Sequence, residues 1–317
     1  MYGHQSIIRT PRRRNILAFS DLQYSRKVSP RKLDFLLQEF QHAAKTYNID
    51  YFFFLGDLIN SLDEIKNHTK RAILIQWLRR LTQIAPLIMI SGNHDYSYHG
   101  QYVQTSTIYR GWCDTLRSIP NLHLLEIDPE TNSQYIFDDG NIRVLGLTLP
   151  EECYPTNMNS NRNGTDAYIQ QLQQFLPGLQ TVQERDHYLL VHSPRHLDAV
   201  PLDINIFALA GHSHNGLIPP VLDELLRSST RGLVAPGHKI SRTRSIKYEL
   251  FAPNSRLQPT IKRPIATIKP CTYFSVTSHL GFFNHFYPSI NYSVIIDSDS
   301  APFLQESYFL PLKSRYK

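Results

Sequence analysis

At the ends of short apolar runs, three glycines of this 317-residue chain stand directly before carboxylate, amide or imidazole side chains: Gly56-Asp57, Gly92-Asn93-His94-Asp95 and Gly211-His212-Ser213-His214. Two further stretches, Asp21-Leu22-Gln23 and His192-Ser193-Pro194, also follow short apolar runs. Carboxylate, imidazole and amide groups together make the donor set of a divalent cation. Each fragment alone has an ordinary reading. An Asp after a strand caps a helix, Gly-Asn makes a turn, and a lone His bonds within a core. Five in order, each closing an apolar run, are better explained by one shared site. In α/β sheets ligands bind at the carboxyl ends of the strands, where five such loops would converge.

The elements that must position these residues show as alternating patterns. Residues 15–20, 51–55, 85–90, 187–191 and 204–209 read as buried strands. Ser29-Pro30 predicts a helix start, and Leu33, Leu36, Leu37, Phe40, Ala43 and Ala44 give that helix one apolar face to about residue 47. Further helices are expected over 63–83 and 104–117, with an amphipathic stretch at 165–176. Residues 135–137 and 142–149 flank Asp138-Asp139-Gly140-Asn141 and read as a hairpin, while 272–276, 292–297 and 307–310 read as closing strands. Strand–turn–helix alternation predicts an α/β fold with parallel pairing, joined by a mixed or antiparallel second sheet.

The ordered set resembles the calcineurin-like metallophosphoesterase family, whose pattern is D-x-H, GD-x-x-D, GNH-[DE], H and GH-x-H. The match runs from about Asn15 to Gly216 and resumes faintly at Tyr273-Phe274-Ser275-Val276 and at 292–296. The stretch from His192 to Gly216 looks most like a bacterial branch that includes membrane-associated phosphodiesterases. The resemblance implies a four-layer α/β/β/α sandwich with two mixed sheets, formed as a single domain over 1–317 with 222–270 as a basic insertion or lid. It implies two divalent metal ions bridged by Asp57. Asp21, Asp57 and His214, with Gln23, would hold the first; Asp57, Asn93, His192 and His212 would hold the second. His94 would face the scissile phosphate as stabiliser and proton donor, with Asp57 and His94 the catalytic pair and Asn93, His94 and Arg195 in contact with substrate. The implied reaction is hydrolysis of a phosphodiester or phosphomonoester by water activated between the ions. Two divalent ions bring +4 and Asp21, Asp57 and one hydroxide −3, leaving about +1 to attract a phosphate anion.

Two positions depart from the pattern. Gln23 stands where the family has His; an amide oxygen suits a hard ion, which favours Mn²⁺ or Mg²⁺ over Zn²⁺ or Fe. Asn60 replaces the acid that orients the catalytic His, and Asp95 is the candidate substitute. The departures keep an alternative open, a degenerate metal-binding relative with a binding or regulatory role. No Walker A, GxGxxG or GxSxG segment offers a nucleotide-cradle or serine-hydrolase reading.

Charge narrows the partners. The net charge is +6, yet residues 227–269 alone hold ten basic residues and one acid, and the first 20 hold four basic residues and none. The remainder is therefore mildly acidic, at −7. Two basic appendages on an acidic body suggest an anionic partner: the phosphate-ester substrate itself, a nucleic acid (as in a nucleic-acid phosphodiesterase), or an anionic membrane surface touched peripherally. No apolar run approaches the roughly 18–20 residues of a transmembrane helix, and no apolar stretch follows the N-terminal arginines as in a cleaved signal. The three cysteines are scattered and odd in number, which excludes a disulfide framework and fits a cytoplasmic protein.

Overall fold

A computed structural model describes residues 14–25, 28–103, 106–126, 136–147, 186–192, 207–210, 239–241, 247–249, 272–275, 289–297 and 302–311. The chain begins with β1 (Asn15–Phe19), α1 (Pro30–Tyr47) and β2 (Tyr51–Leu55). Ser29 caps α1 by accepting the Lys32 amide, and Pro30 occupies the first turn, where its missing donor costs nothing. The single helix expected over 63–83 is two, α2 (Leu62–Lys66) and α3 (His68–Thr82). The break falls at Asn67, whose side chain leaves the helical backbone to cap α3 at the Lys70 amide, 3.1 Å away. Then follow β3 (Leu87–Ile90), a small ribbon of β4 (Ser97–Tyr98) and β5 (Gln101–Tyr102), α4 (Thr107–Arg117) capped by Ser106, and β6 (Leu122–Leu124). The hairpin forms as expected from β7 (Ile136–Asp138) and β8 (Ile142–Leu147). The later strands are β9 (Asp186–Val191), β10 (Phe207–Ala210), β11 (Lys239–Ser241), β12 (Lys247–Glu249), β13 (Thr272–Ser275), β14 (Ser289–Asp297) and β15 (Pro302–Pro311). The amphipathic stretch at 165–176 lies outside the described residues.

The architecture is α/β, with two sheets. One has the order β15-β14-β1-β2-β3-β6 and the other β12-β11-β13-β10-β9-β8-β7. Each has four parallel strands at its heart, β1, β2, β3 and β6 in the first and β8, β9, β10 and β13 in the second. Antiparallel strands finish both. The period-2 alternation of β1–β3 divides the core in two. Leu17, Phe19, Phe52, Phe54, Leu87 and Met89 face α1, α3 and α4, packing with Phe40, Trp77 and Trp112. Ile16, Ala18, Tyr51, Phe53, Leu55, Ile88 and Ile90 face the second sheet and meet Ile142, Val144, Tyr188, Leu190 and Leu209. Parallel strands buried on both faces must read as unbroken apolar runs, and Phe52-Phe53-Phe54-Leu55 does. No helix among the described residues is long and apolar enough to cross a membrane.

Candidate active site

Parallel pairing brings the carboxyl ends of β1, β2 and β3 to one edge, and the loops leaving them hydrogen-bond to each other. Asp21 N–H donates to Gly56 O at 3.0 Å, Gln23 N–H to Asp57 O at 2.8 Å and Tyr24 N–H to Leu58 O at 2.9 Å. The strand ladder thus continues past the sheet, with Tyr24 bridged to Ile59. Asp21, Gln23 and Asp57 all have left-handed backbones, with φ of 55°, 43° and 60°. Such backbones cost roughly 1–3 kcal/mol each and gather where geometry matters more than stability.

Three loops approach so closely that only glycine fits between them. A Cβ on Gly92 would collide with Asp57 Oδ1 and lie 2.6 Å from Asp57 N and 2.7 Å from His192 Cε1. Gly56, at φ +93°, would place one 2.6 Å from His192 Nδ1. The glycines before the donors are therefore what allows the donors to meet.

Asp21, Asp57 and His192 are fully buried at 0% exposure. Each offers one ligand atom within 4.8 Å of the others'. A carbonyl only accepts, so His192 Nδ1–H donates to Leu55 O at 2.7 Å and turns Nε2 inward. Nε2 lies 3.3 Å from Asp57 Oδ2 and 3.1 Å from Asn93 Oδ1. Burial depresses the imidazole pKa, but Asp57, then Asp21 and the Leu55 carbonyl outweigh it and hold it up at about 9. The place therefore favours positive charge beside its two buried carboxylates. A divalent cation fits the same place: the donors are two carboxylates and an imidazole whose other nitrogen is tied to a backbone carbonyl, the usual second partner of a metal-ligating His. Gln23 Nε2 stands 3.4 Å from Asp57 Oδ2, putting its amide at the cluster as well.

His94 is half-buried beside it. Its amide donates to Asp57 Oδ1 at 2.9 Å, and its Nδ1–H donates to the backbone carbonyl of Asn60 at 2.9 Å. Asp95, the expected orienting group for His94, does something else. Its carboxylate accepts three amides: Asp57 N at 2.9 Å and Gly92 N at 2.8 Å on Oδ2, and Ile59 N at 3.0 Å on Oδ1. Burial and the Asp57 charge push its pKa up to about 7, against the pull of the Gly92 and Ile59 amides. Asp95 thus staples the β2 loop to the β3 loop. Neither that staple nor the Asn60 carbonyl shows in residue types, because both act on the backbone.

The structure brings Asp21, Gln23, Asp57, Asn93, His94 and His192 together; Arg195, His212 and His214 lie outside the described residues. Residues 14–216 match the family model of the calcineurin-like phosphoesterases. The chain belongs to that family. No curated protein sequence matches it. Among solved structures this family member is similar to a dimetal phosphatase from Danio rerio, at 11% identity and a TM-score of 0.47, over 94% of this chain and 98% of that one. It is similar to GAP50, the anchor in the inner membrane complex of Plasmodium, at 7% identity and a TM-score of 0.43, over 95% and 89%. It is also similar to the nuclease MPE of Pseudomonas putida, at 10% identity and a TM-score of 0.30, over 76% and 81%.

Proposed function

We propose that this phosphoesterase-family chain hydrolyses a phosphodiester or phosphomonoester with two divalent ions, Mn²⁺ being favoured. The observation that carries the reading is the fully buried convergence of Asp21, Asp57 and His192 at the carboxyl ends of β1, β2 and β9. When bound, the ions would supply positive charge to the phosphate oxygens and acidify water into a nucleophile at neutral pH. Asp57, central to the cluster, would be shared between them. Asp21, Gln23 and His214 would complete one donor set, and Asn93, His192 and His212 the other. Support for His212 and His214 comes from β10, whose last residue, Ala210, pairs with Val191 beside His192. Rotation of the Gln23 amide would turn Oε1 toward the site, an oxygen donor suited to Mn²⁺ or Mg²⁺.

His94, tied at Nδ1 to Asn60, would hold Nε2 toward the phosphate and pass a proton to the leaving alkoxide. Arg195 would bind a phosphate oxygen. We also infer one domain over 1–317 built as an α/β/β/α sandwich, with 222–270 as a clamp on the non-reacting part of an anionic substrate.

The test is hydrolysis of bis-p-nitrophenyl phosphate and p-nitrophenyl phosphate by metal-stripped protein reconstituted with Mn²⁺, beside Asp57→Asn. The expected result is Mn²⁺-dependent turnover that falls at least about 10³-fold in the variant. Neutralising Arg242, Arg244 and Lys247 should chiefly raise KM; an unchanged KM on the natural substrate removes the clamp. Silence with every metal, with one or no ion bound per chain, overturns the hydrolase. It would leave a degenerate relative, with Gln23 and Asn60 as the departures responsible.

A further inference from the structure

A second buried polar chain reaches the β3 loop from the opposite side. Tyr109, Cys113 and Arg117 recur at four-residue intervals on α4 and therefore share one face. All three meet Glu126, which follows β6 and is 4% exposed. The Tyr109 hydroxyl donates to Oε1, Cys113 Sγ–H donates to Oε2 at 3.0 Å, and Arg117 Nη2 stands 3.9 Å from Oε2. A carboxylate is costly to bury, and a core gains as much from apolar side chains of that volume.

The direction in which the chain continues gives this one a use. The Tyr109 hydroxyl is also hydrogen-bonded to Ser91, the residue between β3 and Gly92. The Tyr109 ring meets the fully buried Tyr96 edge-on, with centroids 5.7 Å apart at 80°. One side chain therefore holds both ends of the turn that carries Asn93, His94 and Asp95. Leu125 N–H, donating to Met89 O at 2.7 Å, keeps Glu126 alongside the same junction. Gly92 has no side chain with which to anchor itself, so its position depends on these neighbours and on Asp95.

We propose that Glu126 is a positioning residue: through Tyr109 and Ser91 it fixes the turn that presents Asn93 and His94. The use made of Asn93 and His94 rests on the function proposed above, whereas the positioning is a property of the chain without any ion.

The experiment therefore pairs two measurements on wild type, Tyr109→Phe, Glu126→Gln and the double variant Tyr109→Phe/Glu126→Met. The first is hydrogen–deuterium exchange of the segment spanning Gly92 and Asp95 in metal-free protein, with thermal melting alongside. The second is the Co²⁺ dissociation constant. Tyr109→Phe should speed exchange of the segment and weaken Co²⁺ about 10-fold, as losses of outer-shell partners do. Glu126→Gln keeps an acceptor for Tyr109 and should stay within about 2-fold of wild type. The double variant removes the tyrosine hydroxyl and its acceptor together and leaves Cys113 and Arg117 without Glu126, so its melting temperature should recover in part while exchange and Co²⁺ affinity do not. A double variant, or a Tyr109→Phe protein, that exchanges as wild type does overturns the proposal. Wild type that binds neither Co²⁺ nor Mn²⁺ defeats the proposed function instead, and the metal-free exchange still decides the positioning role.

Discussion

A short cross-sheet hydrogen bond stands at each end of the seam between the two sheets, yet the two closures are built differently. At the carboxyl end, His192 of the second sheet donates to Leu55 O of the first at 2.7 Å. At the amino end, Tyr51 of the first sheet donates to Asp139 Oδ2 in the β7–β8 turn at 2.6 Å. The amino end is aromatic and partly exposed: Phe137 sits edge-on to Tyr51 at 6.2 Å and against His123 at 4.6 Å. Asp139 also takes the amides of Asn141 and Ile142, an ordinary turn arrangement. The carboxyl end buries two carboxylates and an imidazole completely, with both aspartates on backbones twisted into the left-handed region. One end fastens the sheets, and the other holds groups where the fold alone would not put them.

The largest effect should come from the carboxyl end's steric limit. Gly92→Ala forces a methyl against Asp57 and the His192 ring, neither of which has room to retreat. A cost of about 3 kcal/mol is expected on overpacking grounds, together with loss of the divalent-ion site. Urea unfolding and Co²⁺ titration check both, and wild-type Co²⁺ affinity in this variant would show that the loops can separate without harm. Asp95→Asn comes next. Its three amide donors would face a single oxygen and an NH₂ group that repels them. The expected loss is about 2–3 kcal/mol in stability and roughly 10²-fold in kcat, because Asp57 and His94 would shift apart. A loss of stability with kcat unchanged would make Asp95 part of the fastening only.

How much of this could be read in advance follows the same division. Donor types and the glycines before them were visible, since Gly56 and Gly92 must lie beside Asp57 and Asn93 in sequence to serve them in space. β1, β2, β3, β9 and β10 were visible as apolar runs, and α1 through its Ser29-Pro30 start. The break at Asn67 was hidden, because Asp63–Thr82 keeps a helical spacing of apolar residues across it and one cap decides the matter. β6 was hidden because Leu122-His123-Leu124 is too short to distinguish from a loop. The role of Asp95 was hidden because its targets are peptide N–H groups, which every residue offers. Glu126 could not be linked to Ser91 at all, since their proximity comes from β3 pairing with β6.

The smallest effect belongs to the amino end and carries the pH signature of a fastening. Partial burial would raise the Asp139 pKa, but the hydrogen bonds from Tyr51, Ile142 and Asn141 more than offset it and hold the carboxyl below its usual value of 3.8. A carboxylate with a depressed folded pKa adds stability that is complete above the unfolded value and is lost as pH falls through the folded one. Burial and Asp139 push the Tyr51 phenol the other way, so it stays a donor across that whole range. Asp139 is largely open to solvent, so Tyr51→Phe should cost only about 1 kcal/mol at pH 7. The gap between variant and wild type should close below the folded pKa, where the charge is gone from both. Denaturant unfolding from pH 7 to pH 2 measures the gap, and the kcat/KM of Tyr51→Phe should stay within about 2-fold of wild type. A large fall in kcat/KM would mean that the two ends of the seam are coupled through the strands, and that fastening and positioning are one function here.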